Sequence, residues 1–145
     1  MNPPEVQKYL DLLKHDLRVL HLLTQAAKSE DPPEDVSDWQ VTLLFYLACI
    51  HVKTVAHLYG QRFDDHISLR GWINSEADMF AMAGEYRKLE EASRDARYEG
   101  RLFSPTSIEQ VQLPRFEAVR DHVVSVLREK GITRITHIDP RQFLV

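Results

Sequence analysis

Arg115 and His122 are the two residues in this chain best suited to acid–base work on a phosphate ester. Seven residues of helix is close to two turns, so both side chains point the same way. A histidine near neutral pH can take a proton from a ribose hydroxyl. An arginine can hold the phosphate as charge develops on it. Both fall on the shoulder of an apolar face made by Phe116, Val119, Val123 and Val126, where a side chain can border a cleft and stay hydrated. Such spacings also arise by chance in a chain of this composition, so the pair stands as a motif hypothesis.

Three further clusters carry polar chemistry. Tyr46, Cys49, Lys53 and His57 recur at three and four and form one seam along a helix. That seam is either a cleft or subunit contact, or the hydrated half of a core helix. His66 and Arg70 are four apart and could face one pocket, or could serve as a cap and an ion pair. Asp64 and Asp65 precede His66, and a neighbouring carboxylate is expected to raise its pKa. Arg94, Arg97 and Arg101 lie near a helix end. There they either complement the helix dipole or touch a phosphate. Lys53, His57, His66, Arg70 and Arg97 are therefore the candidates for nucleotide or RNA contact. His51 lies off the seam and reads as a hydrogen-bonded core histidine, and Met79 and Met82 as core filler.

Other chemistries find no footing. No glycine-rich phosphate loop follows a strand, and no cysteine–histidine array has zinc-ligand spacing. The acids lack the paired pattern of a two-metal bundle. Neither a metal nor a cofactor is expected. Cys49, alone in the most apolar segment, has no claim to be a nucleophile.

Helices must position these residues, because apolar positions recur at three and four between proline breaks. The spacing predicts a first helix from about Pro4 to Lys28 on the stripe Val6, Leu10, Leu13, Leu17, Leu20, Thr24 and Ala27. A second, capped by Ser37 with Gln40 three residues on, runs to about Gly60. Between Trp39 and Gly60 its first half is apolar on almost every side, which places it at the centre of the protein. A short helix spans His66–Ile73. Ser75 with Asp78 starts the next, whose face is Met79, Met82, Tyr86, Leu89, Ser93 and Ala96. Thr106 with Glu109 caps the last, Pro114 kinks it or breaks its first turn, and Gly131 stops it. The expected fold is an all-α, up-down bundle of four to five helices. Residues 1–130 form one domain and 131–145 an extended arm, docked on its own subunit or on a neighbour.

The chain has 145 residues, one domain's worth, with 22 acids against 18 bases and a net charge of -4. That balance argues against a broad basic surface for nucleic acid and leaves room for a small basic cleft. The single cysteine permits no internal disulfide and favours a reducing compartment. With no secretory signal visible and Val41–Ile50 too short to cross a bilayer, a cytoplasmic protein without membrane contact is expected.

The order of these features resembles the HEPN family, the higher eukaryote and prokaryote nucleotide-binding domains. The residues that carry the resemblance begin with Tyr46-Leu47-Ala48-Cys49-Ile50-His51 and Ala56-His57-Leu58. His66 with Arg70 follows, then Tyr86-Arg87-Lys88-Leu89 and Ser93-Arg94-Asp95-Ala96-Arg97-Tyr98. They span roughly Val36 to Lys130. The resemblance implies a helical bundle that usually pairs as a homodimer, and a nucleotidyltransferase-type protein is the further partner to expect. Many members are metal-independent ribonucleases of toxin-antitoxin and phage-defence systems. These use an arginine, four to six intervening residues and a histidine, a pattern that Arg115 and His122 fit here at the longest spacing. Phe116 follows the arginine where active members carry a polar residue. The expected function is therefore a homodimeric, non-catalytic module associated with a partner or a nucleotide. The alternative is a metal-independent endoribonuclease with His122 as base and Arg115 as phosphate clamp.

Overall fold

The computed structural model describes residues 4–135 and 137–145, and these contain no strand. In chain order the helices are α1 (Pro4–Ser29), α2 (Ser37–Leu58), α3 (His66–Ser75), α4 (Ala83–Glu99), the single turn α5 (Pro105–Ser107) and α6 (Leu113–Glu129). Short 3-10 turns occupy Phe80–Met82 and Arg141–Phe143, and a π turn fills Ile108–Gln112. Expectations that fall on residues 1–3 and 136 lie outside the described residues.

Helix α2 is the axis of the bundle. Sixteen of its 22 residues are buried, among them Leu44, Phe45, Leu47 and Val52 with no exposed surface. Its composition is apolar enough for a membrane span, yet 78% of its most apolar stretch is buried inside the bundle. Removing each large side chain from water stabilises the fold by about 1.5–3 kcal/mol, so a helix apolar on all sides gathers the others around it.

Contacts between helices set their directions. His57, late in α2, faces Glu5 and Tyr9, early in α1, while Gln40 at the other end bonds Thr24. Tyr46 meets Arg97, and Cys49 meets Tyr86, so α4 also runs opposite to α2. His51 packs on Phe116, Ser37 on Phe103 and Tyr59 on Lys130, so α6 runs parallel to α2. The result is the expected up-down order, with α1 on one side of α2 and α4 and α6 on the other.

Three local expectations need correction. Ser37 does not cap α2: Val36 holds that position, and the Ser37 hydroxyl accepts the Phe103 N–H at 2.8 Å instead. Asp35 serves the helix start by accepting the Ser37 N–H at 2.9 Å. Ser75 ends α3 rather than opening α4, which starts only at Ala83. The intervening turn is pinned at Asp78 from two sides, as described below, while Met79, Met82, Tyr86, Leu89, Ser93 and Ala96 still share one buried face. The last helical run is capped by Ser104, which accepts the Ser107 N–H, and not by Thr106. The expected disturbance at Pro114 takes the form of the π turn just before it. Proline offers no N–H to the carbonyl four residues back, and widening the turn accommodates the loss.

The arm docks on its own subunit. Ile132 and Ile138 are buried, and the buried Arg120 donates to the Ile138 carbonyl at 2.9 Å. Arg141 reaches Glu117 at 3.2 Å and Glu109 at 3.7 Å, and Phe143 sets its ring edge against His21.

Candidate functional site

The face shared by α2, α3 and α4 collects four of the predicted contact residues. Phe45 is fully buried at its centre. The His66 ring lies 5.3 Å from the Phe45 ring, and the Arg97 guanidinium carbon 5.8 Å from it on the same residue. One turn along α2, Cys49 approaches His66 Nδ1 at 3.9 Å, and Lys53 follows one turn later. Lys53, His66, Arg70 and Arg97 are all half-buried.

Each side chain is held by its own element. Arg97 donates from Nε to the Ser93 carbonyl at 3.2 Å and from its terminal nitrogens to the Ser93 and Tyr46 hydroxyls at 3.3 and 3.4 Å. Tyr46 and the exposed Tyr98 place their rings 5.6 and 5.3 Å from the same guanidinium. Arg70 is committed to Glu90 at 3.1 Å. Burial pushes the Glu90 carboxyl above its ordinary pKa, with Arg70 pulling the other way. Among the described residues no ion pair joins a carboxylate to Lys53 or Arg97.

The expected rise in the His66 pKa is reversed. Burial lowers it first, then the positive charges of Arg97 and Lys53. Asp65 opposes this only weakly because its carboxylate is turned to the start of α3, where it accepts the Ser68 N–H at 2.7 Å and the Ser68 hydroxyl at 3.0 Å. Cys49 and His66 sit close enough to suggest a thiol–imidazole pair, but the thiol is the wrong kind. Burial raises the Cys49 pKa to about 12, and its nearer partner is the buried Tyr86 hydroxyl at 3.2 Å. It is a core thiol, not a nucleophile.

The remaining predicted residues lie elsewhere. His57 sits at the far end of α2 with Glu5 at 4.0 Å, beside a cavity of about 280 Å³ that also meets Lys8, Tyr9 and Arg62. Arg115 donates to the Gln112 side chain at 3.2 Å. His122 Nε2 contacts the Asp78 carbonyl oxygen at 2.5 Å, and since a carbonyl only accepts, that nitrogen carries the proton. The Tyr59 hydroxyl donates to the carboxylate of the same Asp78. His122 and Tyr59 thus clasp the turn before α4, and no hydrogen bond or ion pair joins His122 to Arg115. Among the described residues no group of three His, Cys, Asp or Glu side chains is placed to hold a metal ion.

Sequence reasoning passed over Phe45 and Glu90 as parts of this site. Glu90 had a usable signal, since it stands four residues after Tyr86 and three before Ser93 on a buried stripe. No family of known proteins, no curated protein and no solved structure matches the chain.

Proposed function

We propose that this protein is a non-catalytic, HEPN-like helical module that binds a nucleotide through its phosphate at Lys53, His66 and Arg97. The observation that carries this reading is the pair of half-buried cations, Lys53 and Arg97, which among the described residues form no ion pair with a carboxylate, on a face where Arg70 already has Glu90. Half-buried charges are screened less than exposed ones, so an arriving anion gains more there than at an open surface. Arginine supplies the forked donor suited to phosphate. Tyr98, 74% exposed beside Arg97, offers a ring on which a base can stack. The endoribonuclease alternative would have to use His122 Nδ1 as its base, because Nε2 carries the proton shared with the Asp78 carbonyl. Isothermal titration with a panel of nucleoside mono-, di- and triphosphates tests it. Lys53→Ala and Arg97→Ala should each weaken binding about tenfold or more. Equal binding by the wild type and both variants overturns the reading.

A second copy of the chain is the partner we favour, and the outer face of α1 supports it. Leu12, Val19 and Leu22 are spaced seven and three apart there and remain 41%, 37% and 52% exposed. That is the spacing of a helix–helix seam. Light scattering on the eluting peak should give twice the chain mass, and Leu12→Glu with Leu22→Glu should halve it. A wild type that stays monomeric at high concentration removes the dimer.

A further inference from the structure

We infer that the Lys53–His66–Arg97 site takes a terminal phosphate, a dianion, together with one proton that settles on His66, and that it discriminates against the internal phosphodiester of a nucleic-acid chain. The inference rests on the nucleotide-binding reading above and specifies the ligand within it.

The argument is one of charge balance at a half-buried place. His66 is faced from α2 by Cys49 and Lys53, from its own helix by Asp65 and Arg70, and from α4 by Tyr86, Glu90 and Arg97. Glu90 is spent on Arg70 at 3.1 Å, and Asp65 on the Ser68 N–H and hydroxyl. Cys49 and Tyr86 are neutral acids whose burial keeps their protons on. Burial first, and then the two cations Arg97 and Lys53, hold the His66 imidazole neutral. A phosphodiester carries one negative charge and is already outweighed by those two cations. A terminal phosphate carries about two near neutral pH, which cancels both and leaves its third oxygen in need of a donor. An imidazole takes a proton more readily when the positive field around it is cancelled and an anionic oxygen comes within reach as an acceptor. Protonated, His66 has both ring nitrogens as donors. One can stay with Cys49 while the other turns to the phosphate. Proton and ligand therefore enter together, and the chain gains no such proton with a phosphodiester.

Calorimetric titration of the whole protein decides the matter. Adenosine 5′-monophosphate, inorganic phosphate and the dinucleotide ApA without terminal phosphate are each titrated near pH 7.5 in two buffers of different ionisation enthalpy. The monophosphate is expected to bind at least tenfold more tightly than ApA. Its observed enthalpy should change between the buffers by an amount matching uptake of roughly half a proton or more. His66→Gln, which keeps a donor but cannot titrate, should abolish the buffer dependence and shrink the preference over ApA, with its melting curve checking the fold. Inorganic phosphate should bind more weakly and with a smaller net uptake, because part of it already carries a proton at that pH. Monophosphate binding with no proton uptake, or ApA binding as tightly as the monophosphate, overturns this inference and leaves the nucleotide reading standing. Failure of every ligand to bind overturns both.

Discussion

Arg70 meets Glu90 at 3.1 Å across the contact between α3 and α4, and Glu90 is only 3% exposed while Arg70 is 31% exposed. Burying a carboxylate is costly, and removing its partner leaves the cost uncompensated. Arg70→Met should destabilise the protein by about 2 kcal/mol, a figure reduced for the partial exposure of Arg70. Adding Glu90→Gln should restore much of it. The folded pKa of Glu90 is raised, so its contribution is fully present below the unfolded value and lost as pH rises through the folded one. In Arg70→Met that loss with rising pH should be steeper. Urea unfolding of the three proteins from pH 4 to pH 8 measures it, and parallel curves would contradict the pairing.

His51 is buried at 2% exposure, bonds the Leu47 carbonyl at 2.7 Å through Nδ1 and has no hydrogen-bond partner at Nε2 among the described residues. Burial, with Arg120 adding to it, lowers its pKa to about 4. A depressed base contributes stability above its unfolded pKa, lost as pH falls through the folded value. Between about pH 6.5 and pH 4 the fold should lose about 3 kcal/mol from this residue. His51→Leu, which cannot titrate, should flatten that part of the stability curve. A wild type equally stable at pH 7 and pH 4.5 would rule it out.

Ser37 joins the start of α2 to the loop before α5 through the Phe103 N–H. Ser37→Ala leaves that buried donor without a partner and should cost about 1–3 kcal/mol. Were Ser37 an ordinary helix cap, Ser37→Asp would rescue the fold. Here a carboxylate in the buried position should be worse than alanine, and denaturation midpoints of the two variants give the answer.

Arg120 holds the arm through the Ile138 carbonyl, and Arg141 adds ion pairs to Glu109 and Glu117. In Arg120→Met the backbone amides of residues 132–135 and 137–145 should exchange hydrogen at least tenfold faster while those of α2 change little. An arm that stays equally protected would show that its apolar residues suffice.

Cys49, with its thiol pKa raised to about 12, should resist iodoacetamide in the folded protein and react once unfolded. Mass spectrometry after labelling at pH 8 reads the outcome. Rapid modification of the native protein would place the thiol outside the core.

Several features were legible in the chain before any tertiary contact was known. The run from Trp39 to Gly60 carries apolar residues on nearly every side, and only the middle of a bundle satisfies that requirement. The three-and-four stripe of α1 and the buried face of α4 follow from the same periodicity, and Gly60 and Gly131 follow α2 and α6 at positive φ, as their glycine identity suggested. The tertiary structure decided matters that depend on which distant groups compete for a residue. Ser37 has the type and position of a cap, yet a backbone N–H 66 residues away claims its hydroxyl. His66 stands beside two aspartates in the chain, but burial in the packed fold, and then Arg97 and Lys53 brought in by other turns of helix, lower its pKa instead. Arg115 and His122 share a face by spacing alone, and it is the turn at Asp78, invisible to periodicity, that engages the histidine through Nε2. Periodicity reports which face of a helix avoids water, a local property. The partner of a polar atom is settled only when helices distant in the chain are packed together.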